Sequence, residues 1–211
     1  MKSPLILLLA LGLAGCAATR APADLSAFRA AAPRSIVVVP VVNRSLEVDA
    51  ANYMLTTISV PLAEKGYYVF PVHTVKFVLE QEGFYEPERV QQQPPADIAQ
   101  FFDADAVLFV TIDRWDAQYI LFSTTVTVGV NYRMYNRQGQ EIWKADKQLQ
   151  YAPQQSQGGN PLASLIAAAI TAAITKASPN YMPLARQANQ QVFSIDGTAL
   201  PEGPYGKKTA P

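Results

Sequence analysis

Few side chains in this 211-residue sequence can do chemistry. It holds one cysteine, Cys16, and one histidine, His73. A catalytic Ser–His or Cys–His pair needs a nucleophile to partner the imidazole. No recognisable nucleophile motif lies beside His73, and no G-x-S-x-G occurs anywhere. Asp103 and Asp105 precede an apolar run, and Asp113 and Asp116 follow it. Paired carboxylates can act as acid and base, but they also cap strand ends and loops. Gly158-Gly159 lacks both the preceding strand and the following Lys-Ser or Lys-Thr of a phosphate loop. Trp115, Tyr119, Phe122 and Trp143 either line a groove for a peptide or glycan or fill a core. With one thiol and one imidazole, a zinc site is not indicated. We expect no catalytic residue, metal or cofactor.

The cysteine is the most informative of these residues because of what precedes it. Lys2 is followed by the apolar run Leu5 to Leu13 and then by Ala14-Gly15-Cys16. A short basic start and a short apolar core are the layout of a secretory signal. The run is too short to cross a bilayer, which takes about 20 apolar residues. Its ending, Leu13-Ala14-Gly15-Cys16, resembles the bacterial lipobox. That resemblance implies cleavage between Gly15 and Cys16, with acylation of the Cys16 sulfur and of the new amino terminus. At about 0.8 kcal/mol per buried methylene, one chain anchors marginally while two or three hold firmly. Ala17, rather than an aspartate, follows the cysteine. By analogy with enterobacterial sorting, the expected address is the outer membrane, with the periplasmic side favoured over the cell surface.

Cleavage leaves 196 residues, near neutral in charge. With 16% charged residues and no basic excess, there is no electrostatic case for nucleic acid. Once Cys16 carries lipid no disulfide can form, so stability must come from packing. We expect a signal peptide at 1–15, a lipidated tether at 16–33 with a short helix near Leu25 to Ala31, one domain at 34–195 and a flexible tail at 196–211.

Within the domain, Ile36 to Val42 reads as a strand buried on both faces, loosened at Pro40. Met54, Ile58 and Leu62 mark one face of a helix over Ala51 to Lys65, which Pro61 should kink and Gly66 should end. A second strand at Tyr67 to Val72, a helix at His73 to Glu82, a polar loop at Glu86 to Pro95 and a helix at Ala96 to Phe102 lead to a third strand, Ala106 to Ile112. This alternation favours parallel pairing. Val126, Val128, Val130, Tyr132 and Met134 then alternate with polar residues, and a turn at Asn136 to Gly139 returns the chain along Glu141 to Tyr151 as an antiparallel hairpin. The fold class is therefore α+β, a mixed sheet with a strand-helix-strand-helix-strand half, an antiparallel hairpin, and helices packed on the sheet.

Two surfaces of this arrangement suit contact with a partner. Pro161 to Ala177 reads as a helix whose bulky stripe includes Ile170. Its small face, Ser164, Ala167, Ala168, Thr171 and Ala172, admits close approach of another helix. A wholly buried helix is the default reading, and the contact face is the sharper one. The polar face of the hairpin, at Thr125, Thr127 and Asn131, is the second surface. The partner is either an envelope protein or another copy of this chain, in addition to the membrane reached through Cys16.

The opening strand and loop, Ile36 to Ser45, resemble those of the TolB amino-terminal domain, the curli secretion lipoprotein CsgG and the synthase activator LpoB. Pro61 to Val72, Asp103 to Leu108 and Gly139 to Trp143, in that order, are similar to a family of Gram-negative lipoproteins of unknown function that includes a neisserial vaccine candidate. The resemblance spans roughly residues 1 to 195. It implies a TolB-amino-terminal-like fold, an outer-membrane anchor and a frequent CsgG-like neighbour, and it implies no catalytic residues. The expected role is a non-catalytic binding or assembly module. The alternatives are an enzyme or regulator acting on peptidoglycan, and a surface-exposed structural antigen.

Replacing Cys16 with serine should abolish incorporation of labelled palmitate and move the protein from the membrane to the soluble fraction. Retention of label in the variant would overturn the assignment of Cys16.

Overall fold

A computed structural model describes residues 23–120, 123–151, 168, 170, 172, 180–195 and 197–206. The signal peptide, Gly15, Cys16 and the tether as far as residue 22 lie outside the described residues. So do Gly158-Gly159, Ser164, Ala167, Thr171, most of the bulky stripe of the predicted helix, and residues 207–211.

The order of elements is α1 (Ser26–Ala31), β1 (Ser35–Val38), β2 (Val42–Asn43), α2 (Ala50–Glu64), β3 (Tyr68–Val69), α3 (Val72–Gln81), α4 (Pro87–Gln91), α5 (Pro95–Phe102), β4 (Ala106–Ile120), β5 (Ser123–Asn136), β6 (Glu141–Tyr151) and α6 (Met182–Gln190), which ends in a π-helical turn, Gln191–Ile195. The sheet runs β3-β1-β4-β5-β6, with β2 also on β4. Pairing is parallel between β1 and β3, β1 and β4, and β2 and β4, and antiparallel from β4 through β5 to β6. This is the mixed α+β sheet expected from the sequence.

The expected first strand is two short ones, because Pro40 has no amide to donate. Val39 still donates to the Leu108 carbonyl (3.3 Å) and Arg44 to that of Ile112 (2.9 Å). The carbonyls in the gap are satisfied from another element. Gln91 Nε2 donates to Val110 O (2.9 Å) and Pro40 O (3.1 Å), and Thr111 Oγ1 donates to Gln91 Oε1 (3.3 Å). Gln91 ends α4, which lies in the segment expected to be a polar loop. Its amide supplies the donor that proline cannot, as buried carbonyls require.

Two apolar layers flank the sheet. On the larger side, Ile36, Val38, Leu108, Val110 and Ile112 pack with Met54, Ile58 and Leu62 of α2 and with Leu184, Val192 and Phe193. On the smaller side, Val37, Val107 and Phe109 pack under Val75, Leu79, Val90 and Ile98 of α3, α4 and α5. α2 runs unbroken through Pro61, with Lys65 N donating to Pro61 O (3.1 Å). The expected second strand is reduced to two residues at the sheet edge.

A bulge at Asp113 resets the phase of β4, since Ile112 pairs with Val130 but Arg114 with the next residue, Gly129. Even-numbered side chains face the larger core up to Ile112, and beyond the bulge Trp115 takes that side. Without the extra residue, Trp115 would point to the opposite face.

A chain of fully buried polar groups crosses the larger core. Tyr132 Oη donates to Asn189 Oδ1 (2.9 Å), and Asn189 Nδ2 donates to Thr57 Oγ1 (3.0 Å) and Met54 O (3.4 Å). Thr57 Oγ1 in turn donates to Tyr53 O (2.7 Å). Burial raises the Tyr132 pKa well above the usual phenol value, so the hydroxyl remains a donor. One amide side chain thereby joins the middle of β5, α2 and α6.

The domain limits differ from those expected. α1 is docked rather than part of a free tether, with Phe28 buried and set edge-to-face on Tyr67 at 6.0 Å. Residues 197–206, expected in a flexible tail, line the bottom of the larger core. Thr198 O accepts from Trp143 Nε1 (2.9 Å), Pro201 O accepts from Tyr67 Oη (2.9 Å), and Leu200 is buried. Gly203 N donates to Lys65 O (2.7 Å) and Tyr205 N to Gly66 O (2.9 Å), so the tail caps carbonyls that α2 leaves open at its C-terminus. Glycine is required at 66, where φ is +86° and a Cβ would stand 1.9 Å from Gly206 N. Ala23 N bonds Gly197 O (3.0 Å), so the packed body extends beyond 34–195 to include residues 23–33 and 197–206.

Asn189→Leu would leave the Tyr132 hydroxyl without its acceptor, while Thr57 still donates to Tyr53 O, and should lower stability by about 1–3 kcal/mol, as should Tyr132→Phe. In urea melts the double variant should lose clearly less than the sum of the two. Strict additivity would show that the three groups do not act as one network.

Candidate interaction surfaces

The aspartates that might have paired for catalysis are each engaged in structure. Asp105 Oδ2 accepts from the amides of Arg34 (3.0 Å) and Ser35 (3.1 Å), while its own amide donates to Ser35 Oγ (2.9 Å). This reciprocal clamp joins the starts of β1 and β4. Desolvation, the largest influence on Asp105, works upward. The two amides, the Ser35 hydroxyl and the Arg34 charge together outweigh it and hold the carboxyl below its usual value. Asp103 ends α5 in a left-handed conformation (φ +51°) and pairs with Arg137 at 2.6 Å. Asp113, the bulge residue, holds Arg44 (3.4 Å) and accepts from Asn131 Nδ2. Asp116 pairs with Arg114 Nε at 2.5 Å. His73 is exposed on α3, and among the described residues no cluster of histidine, cysteine and carboxylates could hold a metal.

The two tryptophans are core residues. Trp115 packs against Tyr53 and Tyr181, and Trp143 stacks on Phe193 at 5.4 Å. Trp115 lines no cavity among the described residues, whereas Trp143, 3% exposed, contributes to the wall of an open hollow beside β5 and β6; the side chain of Tyr119 and all of Phe122 lie outside the described residues.

The polar side of β4, β5 and β6 carries alternating charge. Arg133 bridges Asp146 (2.8 Å) and Glu141 (3.8 Å), and Lys144 also reaches Glu141 (3.6 Å). The sites expected on this face differ in access. Thr125 and Asn131 are half-buried, and Asn131 is tied to Asp113. Thr127 is only 7% exposed, which removes it as a contact residue. It sits mid-sheet, paired with Asp116 of β4 on one side and Gln150 of β6 on the other.

Of the predicted small-residue helix face, Ala168 and Ala172 are described. Both are helical and exposed, whereas Ile170 between them is 1% exposed and belongs to the larger core. The bulky residue faces inward and the two alanines outward, as the stripe requires. What the sequence reading passed over lies on the opposite, helical layer. Phe77, Phe101, Tyr68 and Tyr85 are all more than half exposed there. The adjacent pair Phe101-Phe102 was the available signal, because Ile98 and Ala99 already mark the buried face of this helix and Phe101, three and two positions on from them, falls partly off it.

Against known proteins, residues 23–205 match the model of the family described as "Putative lipoprotein GNA1162-like". A lipoprotein of Neisseria meningitidis serogroup B, NMB1124/NMB1162, is 33% identical over 171 residues, which is 79% of each chain. The crystal structure of lipoprotein GNA1162 from N. meningitidis superposes with a TM-score of 0.56 at 30% identity, covering 66% of this chain and 96% of that one. The LpoB C-terminal domain from Salmonella enterica gives a TM-score of 0.41 at 20% identity, covering 56% of this chain and 83% of that one.

Asp105→Ala strands two amides and should cost about 1–3 kcal/mol at pH 7. A carboxyl whose pKa is lowered by folding stabilises above its unfolded value, near 3.9, and loses that contribution as pH falls through the folded value. The stability gap between parent and variant should therefore narrow below about pH 4. A gap that is constant from pH 7 to pH 3 would contradict the clamp.

Proposed function

The chain belongs to the GNA1162-like lipoprotein family, and from that premise we propose that it is a non-catalytic docking module anchored by Cys16 to the periplasmic side of the outer membrane. As a lipoprotein it is held at a membrane of the cell envelope. The observation that carries the docking role is the pair Ala168 and Ala172, turned outward from a helix whose Ile170 is sunk in the core. Such a face lets a partner helix approach to backbone contact. The tether supports the same reading. Only residues 17–22 separate Cys16 from the folded unit, and fully extended they reach about 20–25 Å. A domain confined this close to the bilayer meets other envelope proteins at a raised effective concentration. A CsgG-like lipoprotein or a second copy of this chain is the proposed occupant of the alanine face. The engagement of Asp103, Asp105, Asp113 and Asp116 by arginines or amides supports a non-catalytic role.

Substituting Ala168 with leucine should reduce the recovery of copurifying envelope partners, or shift the oligomer size in sedimentation, without lowering the melting temperature, since the side chain is exposed. Unchanged partners and unchanged size would sink the helix-face version of this proposal.

A further inference from the structure

The helical layer over the smaller core holds an open cavity of about 170 Å³ between α3, α4 and α5. Leu79, Val90 and Ile98 form its buried floor, and Phe84 and Phe101 stand beside it, the latter 54% exposed. From Phe101 an aromatic row leads to the sheet edge through Phe102 (4.9 Å), Phe70 (6.2 Å from Phe102) and Tyr68 (5.1 Å from Phe70). Exposed aromatic rings beside an apolar hollow are what a protein partner's anchor residue uses.

The charge around the hollow selects the partner. From Lys76 to Phe102 the chain carries five carboxylates and two cations, Arg89 and Lys76, the latter paired with Glu80, although the whole chain has no net charge. Glu82 and Asp97 border the cavity. Together with Glu86 and Glu88 they are exposed and, among the described residues, hold no ion-pair partner. Like charge disfavours the anionic headgroups of a bilayer here. Small ligands usually occupy about 300–1,000 Å³, so this hollow suits a single bulky side chain better than a free metabolite.

We propose that this layer is a second docking site, for a polypeptide segment that presents one leucine or phenylalanine flanked by lysines or arginines. The apolar side chain enters between Phe84 and Phe101, and the basic residues face Glu82 and Asp97. Burial of the anchor supplies affinity, while the carboxylates give register and salt dependence. The site is separate from the alanine helix face, so either can fail without the other.

The test uses the full-length lipidated protein in non-ionic detergent. The probe is a fluorescein-labelled Ser/Gly peptide carrying one leucine between two lysine pairs, read by anisotropy. Binding should weaken at high salt, drop at least about tenfold when alanine replaces the leucine, and vanish when glutamates replace the lysines. The double variant Glu82→Lys/Asp97→Lys and the single variant Phe101→Ser should each lose at least about tenfold, with the melting temperature of the double variant unchanged. Ala168→Leu should bind as the parent does. Absence of binding by the lysine–leucine peptide overturns the proposal. Equal binding of the leucine and alanine peptides reduces the interaction to general charge attraction and overturns it as well. Full binding by the double variant places the contact elsewhere. If sedimentation shows a parent oligomer that Phe101→Ser dissolves, the occupant is a second copy of the chain, and the basic-segment proposal is wrong.

Discussion

The buried side-chain amide of Asn189 is the interaction on which the rest of the larger core depends. It accepts from Tyr132 in the sheet and donates to Thr57 and Met54 O in α2, so three elements distant in sequence are fixed in one register by directional bonds. Apolar packing alone tolerates sliding; a buried polar chain with every partner in place does not, because any shift leaves a group unsatisfied. The same accounting recurs elsewhere. Gln91 repairs the ladder at Pro40, and Gly203 and Tyr205 cap the end of α2. Each places a polar group from one segment where another segment lacks a partner.

These repairs explain which features the sequence revealed. The strands of the hairpin were legible because Val126 to Met134 alternate without exception, and Glu141 to Tyr151 was bounded by the Asn136 to Gly139 turn. α2 was legible from Met54, Ile58 and Leu62. The helical content of Glu86 to Pro95 was not, because Pro87-Glu88-Arg89-Val90-Gln91 offers one apolar residue, and its reason to be helical lies in the carbonyls that Gln91 meets. The docked ends were hidden for the same reason. α1 buries Phe28 alone, and residues 197–206 are held through backbone amides and carbonyls, which leave no periodic trace. Helical spacing put Ala168 and Ala172 on one face but left open whether that face is buried, just as alternation reports the side of a sheet and not how deeply its neighbours cover Thr127.

The revised limits matter for how the protein works at a membrane. With α1 docked on the body, the proposed anchor at Cys16 lies six residues, 17–22, from the packed part, and that proposal therefore places the domain close to the bilayer. The sheet then divides labour between its sides. The larger core anchors the inner side of the helix that displays Ala168 and Ala172. The smaller core supports the layer with the acidic rim and the hollow at Phe101. The polar side of β4, β5 and β6 is cross-braced by ion pairs, so its charges are largely spoken for by one another. The two proposed docking faces are thus unlike, one carrying Ala168 and Ala172 and the other acidic and aromatic.

The central claim, a tethered docking body, is tested most directly by site-specific photocrosslinking in intact envelopes. A photoreactive phenylalanine analogue placed at Ala172 should form a discrete protein adduct that disappears when Cys16→Ser releases the chain from the membrane. If no protein adduct forms, or if adducts persist unchanged in the released chain, the claim that anchored proximity brings a partner to this face is contradicted.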